Sequence, residues 1–206
     1  MMRLLGLVML LSTAQAAADA PPSVDKLVAQ LGRSAAETKT LRGDFVQRNK
    51  VKLFKQELRS SGRLLFEKPR RIRWEYLEPD PSTMILDGQK ATLKTLGAEP
   101  QTFDLSSDAT MRAVFDQLLL WLGAGAPAKD GDYALTTTGS AASPTLVLTP
   151  KDGSTLAKAF LRIELRIDGK TGLLGGLKLV ERSGDEKDIA FVKLTRNAAL
   201  PAGAFN

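Results

Sequence analysis

Apolar and polar positions alternate along much of the chain, most cleanly between residues 62 and 88. There Leu64 and Phe66, then Ile72, Trp74 and Tyr76, then Met84 and Leu86 recur at every second position. Lys68-Pro69-Arg70-Arg71 and Pro79-Asp80-Pro81 separate the three runs, and Asp87-Gly88 closes the last. Period-two runs punctuated by Pro and Gly predict consecutive antiparallel strands. One face of this sheet is apolar, while the other carries Arg71, Arg73 and Glu75. The apolar face needs a cover, and either a filled core or a lipid can supply it.

The pattern extends on both sides. Residues 41–48 and 51–58 predict a long strand and its return, and 91–96 and 101–105 a further pair. Strands resume at 133–138, 145–149, 160–167, 173–182 and 188–194, joined through Gly139, Lys151-Asp152-Gly153, Asp168-Gly169 and Ser183-Gly184-Asp185. Two stretches change to a helical period. Val24, Leu27, Val28 and Leu31 follow the N-capping Ser23 and predict a short amphipathic helix with Gly32 near its end. Met111, Val114, Phe115, Leu118, Leu119 and Leu122 make one wide stripe, with Trp121 beside it, a cap at Ser107 or Asp108 and a stop at Gly123. About eleven strands and two helices, without β-α alternation, predict a mainly β fold with some α. A sheet this large must curl, and two helices are little to fill it with. The expected architecture is one large antiparallel sheet curled into an open half-barrel, with a helical lid over an apolar hollow suited to a ligand.

Composition narrows the setting. Residues 1–20 carry Arg3, the apolar run 4–11 and Ala14-Gln15-Ala16, the three parts of an export signal with cleavage near 16–20. Residues 21–206 then form a single domain, expected to reside in the periplasm. The chain lacks cysteine, so it offers no disulfide and no lipid-attachment cysteine, and the exported protein is expected to be soluble. The net charge of +6 comes mainly from the first half, including Lys68, Arg70, Arg71 and Arg73. It favours acidic partners, and the export signal points to phospholipid head groups over nucleic acid. Without His or Cys, thiol chemistry and the usual acid–base arrangements are absent. The tight carboxylate group Asp185, Glu186 and Asp188 sits beside a Gly turn and reads as solvated. No enzyme activity, metal or cofactor is expected.

The leading helix, 41–45 with Gln47, Gly62, Lys68-Pro69, Arg73-Trp74-Glu75-Tyr76, Pro79 and 85–88 together resemble the periplasmic outer-membrane lipoprotein carrier family (LolA-like). Leu148-Thr149-Pro150-Lys151, the strand ending at Asp168, and Leu200-Pro201 before Phe205 extend the resemblance over the mature chain. It implies an open barrel with a helical lid, whose cavity receives lipoprotein acyl chains. It also implies a monomer that takes cargo from an inner-membrane transporter and hands it to an outer-membrane receptor. By pattern alone Phe45, Leu64, Phe66, Ile72, Trp74, Tyr76, Met84 and Leu86 read as ordinary core; the resemblance implies cavity lining. It likewise implies a lid built on Met111, Phe115 and Leu118, and a latch at Lys68, where the family usually has an Arg bonded to helix carbonyls. The strand after Asp87-Gly88 carries Ala91, Thr92 and Lys94 where the family often has aromatics, and the chain ends at Phe205-Asn206 where the typical carrier continues through another strand. A carrier of another lipid, such as a glycolipid or a polyketide-type chain, and a periplasmic sensor or interaction protein are the alternatives.

Overall fold

The computed structural model describes residues 20–53, 57–128 and 131–206. The export-signal segment 1–19 lies outside the described residues. Eleven strands form one antiparallel sheet: β1 (Thr40–Lys50), β2 (Glu57–Glu67), β3 (Arg71–Glu78), β4 (Ser82–Asp87), β5 (Lys90–Thr95), β6 (Gln101–Asp104), β7 (Tyr133–Gly139), β8 (Pro144–Pro150), β9 (Phe160–Ile167), β10 (Leu174–Glu181) and β11 (Glu186–Arg196). Helix α1 (Val24–Glu37) precedes β1, and α2 (Ala109–Leu119) sits between β6 and β7. The strand order is β6-β5-β4-β3-β2-β1-β11-β10-β9-β8-β7, so β6 and β7 are free edges and the curled sheet stays open. β1 is the seam, pairing Phe45 with Phe191 on one side and with Gly62 on the other.

Alternation produces the seam directly. Along β1 the buried positions are every second residue, so Leu41, Phe45 and Gln47 face the concave side. The Phe45 ring lies over Gly62, where an added Cβ would stand 2.6 Å from that ring and 1.9 Å from the Glu75 carbonyl oxygen. Only glycine permits so close an approach.

Two boundaries differ from the sequence reading. The return strand begins at Glu57, not at 51, because Lys50 and Glu57 form the last pair of the hairpin. Val51 to Leu53 lie in the connection, where Leu53 is 91% exposed and its apolar side chain covers nothing. Residues 54–56 are outside the described part. α1 runs five residues beyond Gly32, to Glu37, since burial of Leu31, Ser34 and Ala35 offsets a cost of about 1 kcal/mol for glycine in a helix.

The concave face holds one core. Leu27 and Leu31 of α1 join Phe115, Leu119 and Leu122 of the second helical segment and inward side chains from the sheet. A small second cluster sits on the convex face, where Leu200, Ala204 and Phe205 of the C-terminal segment cover Leu65 and Ile85. The Arg71 guanidinium lies 4.4 Å from the centre of the Phe205 ring.

Candidate functional site

A cavity of about 360 Å³ indents the concave side, with walls that are largely apolar. The sheet contributes Trp74 and Tyr76 from β3, Met84 from β4, Leu93 from β5, and Leu177 and Leu179 from β10. Gln47, Ile189 and Lys187 complete that wall from β1 and β11, and Leu156 and Phe160 close one side. Among the described residues, α2 and the turn that follows it contribute Val114, Gln117, Leu118 and Trp121, and α1 supplies no wall residue. A hollow of about 600 Å³ lies on the opposite face between the C-terminal segment and Lys39, Glu67 and Arg71. Its greater size does not make it the better site, because ligand sites of this class are recognised by an apolar lining with a few placed polar groups.

The second helix explains why the cavity has a roof. Asp108 caps it, accepting from the Met111 amide at 2.9 Å. Phe115, Leu119 and Leu122 follow at i, i+4 and i+7 and are buried in the core. Val114, Leu118 and Trp121 follow at the same spacing one residue earlier and line the cavity. The wide stripe is therefore two stripes, one anchoring the helix and one roofing the hollow. A π-turn over Leu120–Ala124 carries Trp121. It ends through Gly123 at φ 125, a conformation that L side chains rarely adopt, with the Thr38 side chain beside it.

Trp74, Tyr76 and Met84 thus stand on the cavity wall, as does Leu118. Phe45, Leu64, Phe66, Ile72 and Leu86 do not border it; they lie in the filled part of the concave face, each at most 1% exposed. Phe115 is core and Met111 packs partly buried against it. The Lys68 ammonium donates to the Ala35 carbonyl at 2.5 Å, which ties β2 to the last turn of α1 and leaves α2 untouched. Two other contacts hold α2. Arg70 Nη1 pairs with Asp116 Oδ1 at 2.7 Å, and the Tyr133 hydroxyl donates to Gln117 Oε1 at 2.9 Å. Arg70 was legible only as part of a basic run, and no local pattern connects it with a carboxylate forty-six residues on.

Polar groups on the wall are few, and most of them are engaged. The Tyr76 hydroxyl donates to Gln47 Oε1 at 2.9 Å, while Gln47 Nε2 donates to Asn49 Oδ1 at 2.8 Å. Burial pushes the Tyr76 phenol above its ordinary value, partly offset by Trp74 and Gln47, so it is a neutral donor at physiological pH. Phe45, Trp74 and Tyr76 pack as one aromatic group of tilted and edge-on rings, with centroids 4.6 Å apart for the first pair and 6.5 Å for the last. Lys187 is tied to Glu181 at 2.6 Å. The basic run is also spoken for: Arg71 pairs with Glu67 and Asp87, and Arg73 with Glu75. Of the carboxylate group, Glu186 pairs with Lys178 and Asp188 with Arg166, and Asp185 accepts from the Lys52 amide.

An acid–base or metal constellation does not emerge from these contacts; an apolar hollow under a helix does. A family model described as outer membrane lipoprotein carrier protein LolA matches residues 36–206. The chain belongs to this family. An outer-membrane lipoprotein carrier protein of Chromobacterium violaceum is 30% identical over 198 residues, spanning 96% of this chain and 90% of that relative. One from Dechloromonas aromatica is 27% identical over 179 residues, 86% of this chain and 81% of the relative. MucB, in its crystal structure, shares the fold with a TM-score of 0.53 at 18% identity, over 90% of this chain and 64% of that one. The structure of the Pseudomonas aeruginosa MucA/MucB complex gives the same TM-score over 88% of this chain and 59% of that one. Family membership places this chain among lipoprotein carriers, and the MucB likeness adds only that the fold is shared.

Proposed function

We propose that this protein is a periplasmic carrier that shields lipoprotein acyl chains in the cavity under α2 during transfer from the inner to the outer membrane. The observation that carries the reading is the apolar hollow itself, roofed by Val114, Leu118 and Trp121 and unfilled by either helix. An acyl chain leaving water gains about 0.8 kcal/mol per methylene, so burial of the chain drives capture. At about 360 Å³ the hollow is near the lower end of ligand pockets, roughly 300–1,000 Å³. More than one chain then requires α2 to move outward. The protein acts as a monomer that receives cargo from an inner-membrane transporter and yields it to an outer-membrane receptor. Delivery of a buried chain needs a partner that offers an equally apolar alternative.

The test is a chain-length series of fluorescent acyl probes at low and high salt. Affinity rises with each methylene and changes little with salt, because exposed charge pairs contribute only about 0–1 kcal/mol and are screened. Affinity that collapses in salt and ignores chain length would contradict the carrier reading. The shared fold with MucB, solved together with MucA, favours one second reading, an interaction protein that binds a polypeptide. Under it, acyl probes fail to saturate the cavity.

A further inference from the structure

Among the described residues, Arg42 of β1 and Arg63 of β2 stand apart from the other arginines carried by strands. Each of those others pairs with a carboxylate, as Arg48 and Arg59 do with Glu57; Arg42 and Arg63 pair with none. Both line one hollow of about 360 Å³ on the convex face of the sheet. Asp44 is the single acidic residue on its wall, opposite Arg63 in the register yet not in an ion pair with it. The third cation of the hollow is placed by an irregularity. Arg42 pairs with Thr195 and Asp44 with Val192, so Lys193 and Leu194 both stand opposite Gly43 as a β-bulge. Lys193 adopts φ 54, uncommon for a residue other than glycine, and lines the hollow. An adjoining hollow of about 340 Å³ shares Arg42 and Arg63 and is bordered by Pro201 to Ala204 of the C-terminal segment. Next to these cations, Val46 and Val192 are 39% and 42% exposed on the same face.

From this arrangement we propose that the convex face around Arg42, Arg63 and Lys193 docks on the surface of a bilayer that contains anionic phospholipid. Guanidinium forks match phosphate oxygens, and the lysine adds a point charge. All three cations are exposed, so a single free anion in water is held only weakly by them. A bilayer presents many phosphates at once, and there the contributions add. The exposed valines favour the same occupant, since apolar side chains among cations gain by entering the head-group layer. The inference stands apart from acyl-chain capture. The cavity under α2 opens on the concave side, so a molecule docked by its convex face keeps that cavity turned away from the lipid.

The test is sedimentation of the protein at low salt with vesicles of equimolar phosphatidylglycerol and phosphatidylethanolamine, and with vesicles of phosphatidylcholine alone. The wild type sediments with the first and stays in solution with the second, and added salt releases it. A cation at an anionic surface contributes about a fivefold gain, so Arg42→Gln and Lys193→Asn each weaken binding about fivefold and Arg42→Gln/Arg63→Gln about twenty-five-fold. Asparagine accepts the positive φ of Lys193 and keeps the bulge. The control, Arg48→Gln/Arg59→Gln, removes the same charge from the same two strands, where it is already met by Glu57, and weakens binding by no more than about threefold. Every variant keeps the wild-type melting temperature. Equal sedimentation with both kinds of vesicle overturns the inference, and so does a control that loses as much as the double variant, because net charge alone would then account for binding. Release by inorganic phosphate, and not by sodium chloride of equal ionic strength, would assign the site to free phosphate. Tighter binding of polyglutamate than of the vesicles, lost in the same double variant, would assign it to an acidic polypeptide. Either result overturns the inference, and none of these outcomes touches the carrier reading.

Discussion

Ile72 and Tyr76 lie on the same face of one strand, four residues apart, yet they belong to different regions of the molecule. Ile72 is fully buried in a core filled by Leu27, Leu31, Phe115, Leu119 and Leu122. Tyr76 walls a hollow that takes nothing from α1. The same change occurs on β4, where Leu86 is core and Met84 is wall. The lesson is that the sheet alone does not set where a ligand can enter. Where both helices contribute side chains the curled sheet is packed, and where only one stripe of α2 reaches over it a cavity is left. A fold divided in this way is packed at one end and hollow at the other.

Substitutions at the packed end should break the fold before they touch binding. Phe66→Ala should lower the unfolding free energy by about 3–5 kcal/mol in denaturant titration, the usual cost of emptying a large core site. At the seam, Gly62→Ala forces a methyl into the Phe45 ring and the Glu75 carbonyl and should cost about 1–3 kcal/mol as overpacking does. At the hollow end the order reverses. Leu118→Asp places a charge on the wall and should weaken acyl-probe affinity at least tenfold, about 1.4 kcal/mol. Because Leu118 is only partly buried, its melting temperature should stay close to that of the wild type. A Leu118→Asp protein that unfolds would mean the two ends are one core.

Alkaline pH probes the contact between the regions. Burial raises both Tyr76 and Tyr133 above the ordinary phenol value, and these are the chain's two tyrosines. A group whose pKa is raised by folding contributes its stability below the unfolded value near 10 and loses it as pH climbs toward the folded one. Stability should therefore decline above about pH 10, and the phenolate absorbance of Tyr133 should appear with unfolding, not before it. Smooth titration of Tyr133 in the folded state would contradict its burial.

The smallest effects belong to the ties on the helices. Asp116→Asn removes the pair with Arg70, whose side chains are 29% and 43% exposed. A pair so placed contributes at most about 1 kcal/mol, so probe release should speed up by no more than about fivefold. Lys68→Leu should leave release unchanged, since its bond goes to α1, and should lower stability instead. Faster or slower release in Lys68→Leu would show that α1 moves with the lid.

Much of this architecture is visible in the alternation. Turn residues and period-two runs locate the strands, Ser23 and Asp108 the helix starts, because each depends on residues close in sequence. The split between Ile72 and Tyr76 is not local: both sit in the same alternating run, and only the placement of α1 and α2 across the sheet separates them. The pairing of Arg70 with Asp116 and the cover of Leu65 and Ile85 by Phe205 are long-range for the same reason. The double character of the second helix was closer to hand. Counting Val114, Leu118 and Trp121 as a stripe of their own would have put Trp121 among the lining residues.

Both tryptophans of the chain, Trp74 and Trp121, stand on the cavity wall, so intrinsic fluorescence reports on that space. The most direct measurement is quenching by an acyl chain brominated along its length. Binding in the hollow predicts saturable loss of most tryptophan emission, with the remaining signal of Trp74→Phe and of Trp121→Phe quenched as well, while an unbrominated chain of equal length leaves the emission unquenched. An acyl chain that binds saturably without quenching either tryptophan would place its site elsewhere and contradict the account.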